Sequence, residues 1–269
     1  VSRVPLPASR LKVKKRRRLV RLGLVVLGSA LVLVGVLVAA SHIPALLIDT
    51  VTVVGAESVA SSTVRANINE LLRGFYIHAL PKRNIFLYPQ ERIEESLMRA
   101  YPAFASVDAY AVDFSTIAIN IVERNPRALW CQEGKCFFMD ENGMVYADSP
   151  IFSEPIYISY SGAAEGRSLP KQYLTPTQFQ SLAALVDAIA QRLPEEQVKG
   201  VHVDAAGDVR IFFESGFILL FALRDEGGDI FERFTLALTA EPLTTHTLPS
   251  FEYLDLRFGD KLYYKLKGE

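Results

Sequence analysis

Residues Ile119–Trp130 read INIVERNPRALW, and the chain changes character within them. Up to Val122 the residues alternate, with Ile117, Ile119 and Ile121 on one side and Ala118, Asn120 and Val122 on the other. That period of two is a strand. The run Glu123-Arg124-Asn125-Pro126 interrupts it, and apolar residues resume at Ala128. Pro126 lacks the N–H that a sheet ladder needs, so it fixes a bend. Trp130 is expected to pack in a second core, and Glu123 to form an interdomain ion pair. Adjacent strand residues point to opposite faces, so Glu123 and Arg124 do not make one catalytic constellation. Two domains of an α+β protein meet here, at 49–124 and 125–269.

Upstream of the junction, Val51–Val54 is a short β-branched strand closed by Gly55. Ser58 to Arg73 reads as a helix whose Val64, Ile68, Leu71 and Leu72 share a face. In the connection that follows, Ile85, Phe86 and Leu87 are expected to anchor the chain to the core. Pro89 suits the first turn of a second helix, which turns Ile93 and Leu97 inward and ends at Tyr101-Pro102. Strands Ser106–Phe114 and Thr116–Arg124 complete a β-α-α-β-β order, two helices against one face of a three-stranded sheet. Such a small sheet leaves edges that extended peptides can join.

Nearer the start lies LGLVVLGSALVLVGVLVAA, Leu22–Ala40, without a charge. About 20 apolar residues at 1.5 Å each cover the roughly 30 Å of a bilayer's hydrocarbon core, so residues 22–43 are read as a transmembrane helix. The first 48 residues carry nine basic side chains and no acid. Those in the 1–21 tail, including KVKKRRR at Lys12–Arg18, place the N-terminus in the cytoplasm and the rest outside. The rest holds 20 basic against 30 acidic residues. Ahead of a span, the basic cluster speaks for topology and attraction to anionic headgroups, not for nucleic acid. Val38-Ala39-Ala40-Ser41 has the small residues of a signal-cleavage site, but the apolar run is longer than a usual signal core.

Downstream, short strand-like runs alternate with turn signals such as Asp140-Glu141-Asn142-Gly143. Thr175 and Gln178 have capping-box spacing, with Pro176 at the first helical position. Phe179, Leu182, Val186, Ile189 and Leu193 form that helix's stripe, and another helix runs from Asp229 to Ala240 with Ile230, Phe234, Ala237 and Leu238 inward. The expectation is an antiparallel β domain with two helices. The two cysteines, Cys131 and Cys136, flank a short turn between two strand-like runs. Facing residues there lie within disulfide reach, and an oxidising exterior favours a bridge over two reduced thiols. Two cysteines and four scattered histidines supply no metal site, and no cofactor is implied. The final stretch, Glu252 to Lys267, is strand with nothing after it to cover its edge. Asp255 and Arg257 share a strand face there and suit a structural pair.

Taken in order, these features resemble the bacterial cell-division family FtsQ, or DivIB. The resemblance rests on VTVVGAESVASSTV (Val51–Val64), like the start of a membrane-side POTRA domain; on the junction INIVERNPRALW; and on YLDLRFGDKLYYK (Tyr253–Lys265), like the family's closing strand. It covers essentially the whole chain. It departs from the family in the Cys131/Cys136 pair and in SGFILLFALRDEGGD, which lacks the usual glycine after its strand. The resemblance implies a POTRA-like domain, a β domain and a non-enzymatic scaffold in the cell membrane at the division septum. It implies partners of the FtsB and FtsL type, bound by strand addition along Phe258 to Lys265, and an FtsK-like partner for the POTRA-like domain. At or just beyond that edge, Lys261, Lys265 and Lys267 suit acidic partner residues or, equally, solvated charges that guard the edge against aggregation. Tyr263 and Tyr264 point to opposite faces, one expected in the core and the other, like Leu262 and Phe258, available to a partner. No Gly-x-Ser-x-Gly, Gly-x-x-x-x-Gly-Lys or His-Glu-x-x-His motif occurs. A POTRA-bearing assembly or secretion factor is the alternative reading, and an anchored extracytoplasmic hydrolase a more distant one.

Overall fold

A computed structural model describes residues 9–269 apart from 163, 167, 225, 226, 242 and 269. The start of the basic tail, with Arg3, and part of the SGFILLFALRDEGGD loop therefore lie outside the described residues. The chain divides into two compact units. Unit 1 holds 1–100 and 106–123, and unit 2 holds 101–105 and 124–269.

Unit 1 begins with α1 (Ser9–Ser41), a single helix continuous from the basic tail through the apolar run. From Lys15 to Ser41 it is long and apolar enough to cross a membrane. It ends at Ser41, two residues before the expected boundary. Beyond it come β1 (Thr50–Val54), α2 (Ser61–Leu71), the small hairpin of β2 (Phe75–Tyr76) and β3 (Leu80–Pro81), α3 (Gln90–Ala100), β4 (Phe104–Ala111) and β5 (Thr116–Glu123). The sheet order is β1-β5-β4, with β1 parallel to β5. Val64, Ile68, Ile93, Leu97, Ile117, Ile119 and Ile121 are buried, as their periodicity requires. α2 starts three residues later than Ser58, because the preceding loop is held by Glu123 and not by the helix. Gly55 makes that loop possible. Its φ is +83°, and a Cβ there would come within 2.0 Å of the Ile121 carbonyl oxygen.

Unit 2 is built on one ten-stranded sheet. Its strands are β6 (Ala128–Gln132), β7 (Lys135–Met139), β8 (Met144–Asp148), β9 (Ser159–Gly162), β10 (Lys171–Gln172), β11 (Val198–Val203), β12 (Asp208–Phe213), β13 (Ile218–Ala222), β14 (Phe251–Phe258) and β15 (Lys261–Leu266). In space they run β10-β8-β7-β6-β9-β11-β12-β13-β14-β15. The sheet is mixed, which corrects the expectation of an antiparallel domain. β9 runs parallel to both β6 and β11, and β13 runs parallel to β14. Each of these three pairs needs a return path between its strands, and β6 reaches β9 through β7 and β8. Helix α4 (Pro176–Arg192) lies between β9 and β11, and α5 (Gly227–Leu238) between β13 and β14. Thr175 caps α4 with the full capping box, Gln178 answering it. Phe179, Val186, Ile189, Ile230 and Phe234 from the two helices join Trp130, Phe213, Phe217, Phe221 and Phe251 in one core.

Two-residue turns shape the front hairpin. Glu133 and Gly134 both have positive φ, as a type I′ turn requires, and Cys131 lies directly opposite Cys136. The two are joined as a disulfide.

Gly55→Ala should cost unit 1 about 2 kcal/mol or more, from the backbone clash and the positive φ. Urea unfolding should show the loss in the unit 1 transition and leave unit 2 unchanged. Replacing Cys131 and Cys136 by serine opens a short loop in the unfolded chain and should cost unit 2 about 2 kcal/mol. Reductant added to the parent protein should reproduce that shift.

Candidate partner-binding edge

The junction residues act within separate units. The Glu123 carboxylate accepts from the backbone N–H of Glu57 and Ser58, at 2.8 and 2.9 Å, and from the Ser58 hydroxyl. All of these belong to unit 1, so Glu123 fastens the Gly55 loop instead of making the interdomain ion pair expected of it. Arg124 turns the other way. Its guanidinium lies 2.5 Å from Asp140, which is buried, and donates to the Pro102 carbonyl. Asp140 also accepts from the backbone of Asn142 and Met144, so its turn and Arg124 are tied together. Pro126 follows in the irregular segment before β6. Trp130 is buried, donates to the Gly162 carbonyl, and carries the Lys171 ammonium 3.7 Å above its ring. Burial lowers the Lys171 pKa, and the ring face supplies part of the stabilisation that water no longer gives.

The C-terminal hairpin closes one end of the large sheet. β15 pairs with β14 and has no strand on its other side among the described residues. Gly259, with φ at +62°, and Asp260 form the turn between them. The register sets Leu254 opposite Tyr264, Asp255 opposite Tyr263 and Phe258 opposite Lys261. It shifts between Phe251 and Tyr253 and again between Asp255 and Phe258. Such irregularities increase the local twist of an edge.

β14 is held down by charge. Arg257 donates to both Asp255 oxygens, Nε at 2.9 and 3.1 Å and one terminal nitrogen at 2.6 Å. Its other terminal nitrogen meets Asp208 on β12, two strands away. Burial pushes the Asp255 carboxyl upward in pKa, but the side-chain and backbone hydrogen bonds from Arg257 outweigh it and hold the group below its ordinary value. The Arg257 pKa is raised by the same bonds. Arg233 of α5 adds a clamp, donating to the carbonyls of Leu256 and Gly259 at 2.9 and 3.0 Å.

β15 presents two different faces. Leu262 and Leu266 pack against the core, and Tyr264, on the same side, meets the buried Phe251 edge-on at 5.9 Å. Tyr263 lies on the opposite side, edge-on to Phe258 at 5.0 Å. Neither tyrosine is buried: Tyr263 is 49% exposed, Tyr264 45%, and Phe258 54%. The expectation of one core tyrosine is therefore corrected. An edge strand has no neighbour to cover a ring of that size, and Leu262 and Leu266 supply the inward contact.

The three lysines differ. Lys265 pairs with Glu252 at 2.5 Å, and this partner raises its pKa. Lys267 donates to the Ser215 carbonyl at 2.8 Å. Lys261 is exposed at the turn. Asp208, Arg233 and Ser215 were not legible as parts of this edge. Their local patterns are ordinary, and only the fold brings them beside β14 and β15.

No known family model matches the chain, and no curated protein is significantly similar to it.

Because the folded Asp255 carboxyl sits below its unfolded value near 4, its contribution to stability is complete above that value. It is lost as pH falls through the lower folded value. Asp255→Asn should therefore lower the melting temperature at neutral pH, at a cost of about 1–3 kcal/mol, and flatten the decline below about pH 4. Thermal melts across pH 2–7 in the two proteins check this.

Proposed function

We propose that this protein is a membrane-anchored, non-enzymatic scaffold that captures an extended segment of a partner by adding it as a strand to β15. The observation that carries the proposal is the terminal place of β15 in the large sheet, with Phe258 and Tyr263 packed edge-on and exposed beside that edge. Backbone hydrogen bonds along β15 supply attachment, and alternate side chains select the partner. The Phe258–Tyr263 pair is the anchor, since buried aromatics dominate interface energetics. Lys261 offers a cation to an acidic partner residue, while Lys265 must leave Glu252 to do the same. Arg257, Asp255 and Arg233 keep β14 rigid, so that the edge is ordered before the partner arrives.

The order of features along the chain makes the division machinery the proposed setting. A basic tail and span, a β-α-α-β-β unit and a closing Asp-Leu-Arg strand resemble FtsQ/DivIB. The partner strand then comes from a small bitopic protein of the FtsB or FtsL type. An FtsK-like protein engages unit 1. The tail lies in the cytoplasm, both units lie outside, and the protein gathers at the septum.

Phe258→Ala and Tyr263→Ala should each weaken binding of an FtsB-type extracytoplasmic segment by about 2 kcal/mol. Deleting Leu262–Glu269 should abolish it, with unit 1 still folded by its own unfolding transition. Unchanged affinity in all three proteins would sink the strand-addition mechanism. A fluorescent fusion spread evenly over the membrane through the cell cycle, without midcell accumulation, would sink the division role.

A further inference from the structure

Phe86 stands out in unit 1. The sequence pattern assigns it to the core with Ile85, yet it is 69% exposed while Ile85 is buried. Phe114, in the turn between β4 and β5, is 65% exposed, and the two rings lie 6.4 Å apart. An exposed aromatic pair of this kind would ordinarily be covered by something.

Its position is set by the end of α1. Asn84 is buried, and its side-chain amide donates to the carbonyl of Ser41, the last residue of that helix, at 3.0 Å. Its side-chain oxygen accepts from the Phe86 N–H at 3.0 Å. The Phe86 backbone therefore lies within about 8 Å of the Ser41 carbonyl, two hydrogen bonds and one amide away. The chain after α1 is stitched to the same place, with Ile85 donating to Leu46 and Asp49 donating to Ser115 beside Phe114.

A second apolar projection leaves from this point. His42 stacks on Phe75 at 6.1 Å, and β3 lies against α1. The β2–β3 hairpin carries Ile77 at its tip, 88% exposed and with φ at +50°. A β-branched residue held in the left-handed region with its side chain in water is doubly unfavourable.

The depth of these groups follows from the helix. Residues 22–41 lie between Arg21, the last charge of the tail, and the end of α1, and at 1.5 Å each they span about 30 Å, the thickness of the hydrocarbon core. Ser41 then sits at the far boundary of that core. The headgroup layer beyond it is about 5–8 Å thick. The Phe86 backbone, within about 8 Å of Ser41, is therefore at headgroup depth, where aromatic and aliphatic side chains are favoured; Phe114 is one ring contact from Phe86 and Phe75 one ring contact from His42, the residue after Ser41.

We infer that Phe86, Phe114, Phe75 and Ile77 form a membrane-contact face, with which unit 1 rests in the lipid headgroup layer beside its own span. The inference rests on the reading of α1 as a membrane span. It commits to a lipid bilayer as the occupant, because the face is continuous with the end of that helix. Unit 1 is then seated on the bilayer and not hung from a free tether.

The test uses the full chain reconstituted in phosphatidylcholine–phosphatidylglycerol vesicles, with and without bromine on the acyl chains near the headgroup. Phe86→Trp, Phe114→Trp and Ile77→Trp are read one at a time. Trp130, the chain's one tryptophan, is buried in unit 2 and gives a constant background. Val122→Trp is the control, because Val122 is exposed at the opposite end of β5 from Thr116 and the turn. The three variants should show blue-shifted emission that is lost in brominated lipid, and Val122→Trp should show neither. Emission from all three that matches Val122→Trp, in protein that resists alkaline carbonate extraction, overturns the contact face while leaving the span intact. Protein that carbonate extracts overturns the span and the face together. A blue shift that persists in detergent and grows with protein concentration assigns the face to a second copy of the chain and overturns the lipid proposal.

Discussion

Glu123 and Arg124 are neighbours in an extended segment, so their side chains leave the backbone on opposite sides. The rest of the architecture depends on that constraint. One carboxylate closes the loop that leads into α2, and the next residue's guanidinium reaches the buried Asp140. Each charge is satisfied inside its own unit. Of these groups Asp140 is the buried one, and left without Arg124 its charge would cost several kcal/mol.

Unit 2 repeats this use of charge at its far end. β14 buries Phe251, Leu254 and Leu256, but Phe258 at its end is exposed. Arg257 bridges Asp255 and Asp208, and Arg233 reaches two carbonyls of the same segment. These groups hold β14 in a sheet that continues only one strand further. β15 adds little to the core beyond Leu262 and Leu266. Its edge is therefore ordered and open at once, the state a strand-adding partner needs. Lysine and bulges are also the means by which sheets discourage unwanted pairing, and here Lys265 is engaged by Glu252.

Much of the fold was legible in the sequence. The isoleucines of β5, the stripes of α2, α3 and α4 and the Thr175 cap depend on neighbours within a turn or a strand, so local spacing reveals them. The charge-free run of α1 is legible for the same reason. What was misread depends on distant partners. Phe86 follows a buried isoleucine and has the hydrophobicity of a core residue. It is exposed because Asn84 spends its side chain on Ser41 and on the Phe86 N–H, which turns the chain outward. The parallel pairs of unit 2 were hidden because strand direction is not encoded in a strand's own residues; it follows from where α4 and α5 return the chain.

By itself, the amino-acid sequence determined the elements and their order: one apolar helix after a basic tail, a small helix-and-strand unit, and a larger β-rich unit ending in a strand. Periodicity, proline and glycine placement and charge are local quantities, and they suffice for that. Only the tertiary structure decided the order and direction of the strands in the large sheet, which tyrosine faces the core side, and where Glu123 spends its charge. Those outcomes rest on contacts between residues tens of positions apart, such as Asp208 with Arg257 and Ser58 with Glu123. No local pattern carries such pairings, because each depends on the packing of everything between them.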